Sequence, residues 1–208
     1  MAQFSTSDVK FYAGNSASLP VVFYLSGDGG WNKFSETLCE TMVQSGYSVV
    51  TLNSKSYFWN KKTVTTLVND VSAYLKQQLR GQLQRGFILV GYSFGADAVP
   101  FLVNNLPQDL LKHLKQAVMV EPSQSTDLEI HLSDMLSRSP IKRSMDVIAE
   151  INKMTSTNLC IVMGEKDANT ILAKVALPKL HKRTLPGGHH FDGDARLLAK
   201  EIMACFKN

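Results

Sequence analysis

Residues 87–103 read FILVGYSFGADAVPFLV, an apolar run, a G-x-S-x-G turn and a second apolar stretch. The first run is short and bounded by turn residues, which suits a buried strand, and the second continues as a helix. Gly91 to Gly95 must therefore reverse the chain within a few residues. A turn that sharp lifts the Ser93 hydroxyl above the carboxyl end of the strand, and the two glycines let neighbouring backbone pass close by. Strand, tight turn and helix in this order form a nucleophile elbow, and Ser93 is the first candidate catalytic residue. The alternative, a purely structural turn, would need no hydroxyl here.

The rest of the chain repeats the theme. VVFYL (Val21 to Leu25), SVVTL (Ser48 to Leu52), FILV (Phe87 to Val90) and LCIVM (Leu159 to Met163) are continuous apolar runs, the signature of strands covered on both faces. AVMV (Ala117 to Val120) and HKRTL before Pro186 add two more, and VKFYA near the start suits an edge strand. Between them, Phe34, Leu38 and Met42 recur at helical spacing before Gly46, and Val64, Leu67, Val68, Val71 and Leu75 do so before Gly81. Leu198, Ile202 and Phe206 make a last stripe that Asp194 can cap. The expectation is an α/β protein, a doubly wound, mainly parallel sheet of about six to seven strands with helices on both faces, in the α/β-hydrolase fold. At 208 residues the chain is expected to form a single domain over 1–208. Leu128, Ile130 and Leu132 alternate with polar residues, so 123–143 is read as an insertion, an edge strand or a flap over the site.

A serine hydroxyl needs a base, and the base needs an orienting acid. In this fold the chain order is Ser, acid, His, with acid and base on loops after later strands. LCIVM runs into GEKD, which makes Asp167 the expected acid and Glu165 the runner-up, and LPGGHHFDGD follows the next strand. Its G-H-x-F spacing makes His189 the expected base, with Phe191 as an apolar anchor and His190 without a firm role. The oxyanion hole is expected from the backbone N–H groups of Asp28, in the SGDGGW loop, and Phe94. Trp31, Trp59 and Lys55, on the loops after the early strands, are candidate substrate-binding residues. Asp97, most simply a favourable charge at a helix N-terminus, joins Asp28 as a candidate for holding a cationic substrate group.

Composition narrows the classes. Lys plus Arg exceed Asp plus Glu by 22 to 18 with no long basic run, so nucleic acid is not an expected partner. No GxGxxG or GK[ST] fingerprint occurs and the histidines lack ligand spacing, so neither cofactor nor metal is expected. No apolar run approaches the roughly 20 residues of a membrane span. The opening MAQFSTSDVKFYAG lacks the basic head and apolar stretch of a signal peptide, so the chain is read as cytoplasmic if full length, or as stripped of its leader. Cys160 lies in an apolar run and reads as core, and a Cys39 to Cys205 bridge stays open.

Taken together and in order, FYLSGDGGW, SYFW, GYSFGADAVPF, EIH and LPGGHHFDGD resemble the VirJ/AcvB family of bacterial virulence proteins. The resemblance implies an α/β-hydrolase domain in a mature periplasmic form. It further implies hydrolysis of the aminoacyl ester of lysyl-phosphatidylglycerol, with peripheral membrane contact, secretion-system proteins as partners and a link to virulence and type IV secretion. It carries over Ser93 as nucleophile, Asp167 as acid and a histidine of GGHH as base. With one hydrolase domain only, nothing that depends on the longer, two-part members is implied. The competing expectations are a carboxylesterase, thioesterase or lysophospholipase with the same residues, and a non-catalytic periplasmic binding or chaperone-like factor.

Overall fold

The computed structural model describes residues 4–131 and 142–207. Strands β1 (Val9–Tyr12), β2 (Val21–Leu25), β3 (Val49–Leu52), β4 (Phe87–Tyr92) and β5 (Leu114–Val120) precede a two-residue ribbon, β6 (Ser125–Thr126) with β7 (Met145–Asp146), and then β8 (Leu159–Gly164) and β9 (Leu180–Leu185). The helices are α1 (Lys33–Gln44), α2 (Ser54–Tyr57), α3 (Val64–Gln78), α4 (Phe94–Asn105), α5 (Gln108–Leu111), α6 (Val147–Ile151), α7 (Ala168–Leu172) and α8 (Ala195–Cys205). The main sheet runs β1-β3-β2-β4-β5-β8-β9, parallel throughout except for β1, which pairs antiparallel with β3 at the edge. This is the α/β-hydrolase fold. The apolar runs behave as expected, since every residue of β2, β3, β4 and β8 is buried.

Each face of the sheet carries its own core. Phe23, Leu25, Leu89, Ala117, Met119 and Ile161 meet α3, α4 and α6 on one side. Val22, Tyr24, Val90, Val118, Cys160 and Val162 meet α1 and α8 on the other. Helix α3 shows which force decides. Its Val64, Thr65, Thr66, Val68 and Val71 are β-branched and cost about 0.5 kcal/mol each against alanine in a helix. The buried Leu67, Val68, Val71 and Leu75 contribute about 1.5–3 kcal/mol each, so packing and not propensity makes the helix. Side-chain caps set the starts: Asn32 accepts from Ser35 N at 3.0 Å, Thr63 from Thr66 N at 3.0 Å and Asp194 from Leu197 N at 2.9 Å.

Two expectations change. Leu128 and Ile130 are buried, but Leu128 sits at φ 56 in a turn, so their alternation comes from a chain reversal and not from a strand. This segment lies against the loop after β3, through Lys62 N to Leu128 O at 3.0 Å and Ile130 N to Phe58 O at 2.9 Å. Residues 132–141 of the 123–143 segment lie outside the described residues. The cysteine pairing also differs: α8 lands on β8, so Cys205 bridges Cys160 and Cys39 is free and buried. Among the described residues no helix is long and apolar enough to cross a membrane.

Candidate active site

The carboxyl ends of β2, β4, β5, β8 and the loop after β9 converge on one place. Ser93, between β4 and α4, holds φ 53 and ψ −119, a conformation that costs a residue with a side chain about 1–3 kcal/mol. The surroundings enforce it. Its N–H donates to Val120 O at 2.8 Å, and its carbonyl accepts from Ala96 N at 2.8 Å. A Cβ on Gly91 would lie 2.6 Å from Ala96 N and one on Gly95 2.6 Å from Ser26 O, so any larger residue at either position would push α4 off the sheet.

The strained turn presents Ser93 Oγ 2.8 Å from His189 Nε2. His189 is carried by the loop after β9, whose reversal uses Gly187 at φ 97 and Phe191 at φ 49. The Phe191 ring is buried in the α1/α8 core and anchors the loop. Tyr92 holds it from below: its hydroxyl donates to His189 O at 2.9 Å and lies 3.0 Å from His190 Nδ1. A phenol has one proton, so with that proton on His189 O its oxygen accepts from Nδ1–H of His190. His190 thus has a positional job, and Tyr92, the variable residue before Ser93 in the elbow, is a contributor that the motif alone does not reveal.

The carboxylate facing Nδ1 of His189 is Glu121, with Oε2 at 3.5 Å and a side chain 2% exposed. Glu121 Oε1 accepts from Gly164 N, and Glu121 N donates to Val162 O at 2.9 Å. Chain order points instead to Asp167. Asp167 opens α7, and a Cβ on Gly188 would lie 3.4 Å from its Oδ2, which puts its charge beside the histidine loop without making it the carboxylate paired with Nδ1. The cause is local: Glu121, the first residue after β5, takes φ 52, which turns its side chain back toward the site. The runner-up Glu165 is exposed. Burial pushes the His189 imidazolium down, but the Glu121 hydrogen bond and charge, with the charges of Asp167 and Asp28, outweigh it, and the net shift is upward.

The loop after β2 lies against Ser93, since a Cβ on Gly27 would sit 3.4 Å from Ser93 Cβ. Phe94 N–H heads α4, where the first amides have no intrahelical acceptor. The Asp28 side chain is half-buried and accepts from Gly29 N at 2.8 Å, and its charge reaches His189, Tyr92 and Asp97. Lys55 packs its stem against Gly30, 2.7 Å from where a Cβ would be, so it stands beside the same loop.

Other candidates fall elsewhere. Asp97 is 4% exposed, with Ser123 N and Oγ both 2.6 Å from its carboxylate. It ties the loop after β5 to α4 and is closed to substrate; burial pushes its pKa up to about 7 against the pull of the Ser123 bonds and of His189. Trp31 is stacked on Tyr12 of edge strand β1 at 5.8 Å with Lys10 Nζ 5.4 Å from its ring, at the sheet edge and not beside Ser93. Trp59 is 50% exposed on the turn after α2. The aromatic of that loop that reaches the site is Phe58, buried 5.1 Å from the Phe94 ring. Asp127, Glu129 and His131 bring potential ligand atoms within 4.8 Å of one another. His131 Nε2 is already 2.8 Å from Asp127 Oδ2 and the Arg143 guanidinium 3.8 Å from it, so a cation is supplied from within the chain. A cavity of about 500 Å³ lined by Gly14, Ser16, Gln82 and Arg85 lies at the amino ends of the strands, opposite to Ser93.

Comparison with solved structures places this geometry among known folds. MenH from S. aureus superposes with a TM-score of 0.69 at 14% identity, covering 97% of this chain and 98% of that one. Est1E from Butyrivibrio proteoclasticus gives 0.62 at 11% identity, covering 96% and 93%, and a lipase-esterase related protein from Clostridium acetobutylicum 0.65 at 14%, covering 94% and 98%. Among curated protein sequences none matches. Residues 19–208 match the profile of the family described as bacterial virulence protein (VirJ).

Proposed function

The chain belongs to the VirJ family of bacterial virulence proteins, and on that premise we propose that it is a serine hydrolase that cleaves the aminoacyl ester of lysyl-phosphatidylglycerol. The observation that carries the hydrolase reading is the 2.8 Å contact of His189 Nε2 with Ser93 Oγ on a strained elbow. In this reading Ser93 Oγ attacks the ester carbonyl carbon as Nε2 takes its proton, and the amides of Asp28 and Phe94 receive the oxyanion. The imidazolium then protonates the leaving alcohol oxygen as the C–O bond breaks. Water, deprotonated by the same imidazole, releases the acid from the acyl-enzyme.

The substrate assignment rests on the family and on charge. Carboxylates of Asp28, Glu121 and Asp167 all bear on His189 in a chain whose net charge is +4, a local field that favours a cationic acyl group. Asp28, half-buried beside Ser93, is open to a substrate ammonium; Asp97 is not. The Cys160–Cys205 bridge supports an oxidising compartment such as the periplasm. Half-exposed Trp59, with Lys61 next to it but one, supports peripheral contact with an anionic bilayer, and secretion-system proteins remain the proposed partners.

A fluorophosphonate probe tests the chemistry. Labelling of the intact chain that Ser93→Ala abolishes supports it, and no labelling rejects it. Free lysine released from lysyl-phosphatidylglycerol vesicles tests the substrate. A labelled protein that releases none acts on another acyl group, as the likeness to the lipase-esterase related protein suggests.

A further inference from the structure

We propose that Glu121, at the end of β5, is the positioning residue that fixes the orientation and tautomer of His189, the place that chain order assigns to Asp167. The inference rests on the serine-hydrolase reading and adds to it the identity of the acid.

Three observations carry it. Glu121 follows the strand next to the nucleophile strand, and Ser93 N bonds to Val120 O at 2.8 Å, so the acid and the nucleophile share one fixed frame. Its backbone sits at φ 52, in the left-handed region that a glutamate rarely adopts, and is held there by Glu121 N to Val162 O at 2.9 Å. Its side chain is 2% exposed, with one oxygen taken by Gly164 N and the other 3.5 Å from His189 Nδ1. A buried carboxylate must find donors, and here the donors are one strand amide and the imidazole. Nδ1 therefore carries the proton in the resting state, which leaves the Nε2 lone pair toward Ser93 Oγ.

The proton count follows. When Ser93 Oγ forms its bond to the acyl carbon, the hydroxyl proton moves to Nε2, and the imidazolium, protonated on both nitrogens, faces the Glu121 carboxylate. The Nδ1 proton stays on nitrogen, Glu121 stays ionised, and the Nε2 proton leaves on the alcohol oxygen. Asp167 and Asp28 add charge to this environment, Asp97 lies on the α4 side, and Tyr92 and His190 close the loop side.

The test uses the full chain and reads the rate of fluorophosphonate labelling at Ser93 against pH, with the imidazole Nδ1 proton followed by NMR. Glu121→Gln is expected to slow labelling by about 10²–10⁴-fold and to move the acidic limb of the pH profile downward, because the partner that raises the His189 pKa is gone. Glu121→Asp is expected to recover part of the rate. Asp167→Asn, at a half-exposed position, is expected to slow labelling by less than about tenfold and to keep the low-field Nδ1 proton. Loss of labelling and of that proton in a folded Asp167→Asn chain overturns the proposal, whether or not Glu121→Gln folds. So does Glu121→Gln with an unchanged rate and limb. A wild-type chain that takes no label at all overturns the hydrolase reading itself, and the two failures are distinct.

Discussion

Asp97→Asn exposes the consequence of burying a carboxylate one turn beyond Ser93. Asp97 is pushed up to about 7 in the folded chain from an unfolded value of 3.8. Below pH 4 both states hold the proton and the group has no effect on stability. Between pH 4 and 7 the unfolded chain releases a proton that the folded chain keeps, so stability falls as pH rises, and above 7 the full penalty remains. A shift of about three pKa units at 1.36 kcal/mol each sets a ceiling of about 4 kcal/mol. Asparagine cannot ionise, and its amide can accept from Ser123 N and donate to Ser123 Oγ, so the tie to the β5 loop is retained. Urea unfolding of both proteins at pH 4.5, 6 and 8 and one ionic strength isolates the effect, because other titrating groups cancel in the difference. The stability of Asp97→Asn minus that of the wild type is expected to grow with pH, toward that ceiling at pH 8. A flat difference refutes the reasoning. A difference that shrinks with pH means that the two Ser123 bonds hold the carboxylate below its ordinary range and that hydrogen bonding, not burial, dominates there.

Ser93→Gly is expected to be more stable than Ser93→Ala by about 1 kcal/mol in thermal denaturation, since both lose the hydroxyl but only glycine relieves the strained turn; equal midpoints would remove strain from the account. Tyr92→Phe is expected to lose about 1 kcal/mol of stability and to label more slowly, because it frees both histidine-loop contacts; wild-type labelling would show that Phe191 alone anchors the loop. Cys205→Ala is expected to lower stability by about 2–4 kcal/mol, and dithiothreitol to do the same to the wild type, because the bridge closes a loop of 45 residues. Insensitivity of the wild type to reductant would refute the bridge.

Much of the architecture was legible because it depends on residue type at a period. Short continuous apolar runs bounded by turn residues suit strands buried between two layers, and β2, β3, β4 and β8 are wholly buried. The elbow and GGHH were legible because tight turns demand glycine at fixed positions. Glu121 was not, because what aims it inward is a backbone angle at a residue whose type does not advertise it. Asp97 looked like an open acid at a helix start and is closed by Ser123, which arrives 26 residues later. The Cys160–Cys205 pairing depends on where α8 lands, a tertiary fact. Leu128 and Ile130 mimic a strand because a left-handed turn also buries alternate residues.

The two cores have a mechanical consequence. Ser93 starts a helix whose apolar face belongs to the α3/α4/α6 layer, whereas His189 hangs on a loop anchored by Phe191 in the α1/α8 layer. Ser93 and His189 are thus mounted on opposite sides of one sheet and meet over its upper edge. A cavity opened in either layer, far from any reacting atom, would let one partner settle while the other stays, and a 2.8 Å contact has little slack to absorb that. In such a mount, the rate of probe labelling at Ser93 is expected to act as a vernier for the registration of the two layers, sensitive to core substitutions too small to unfold the chain.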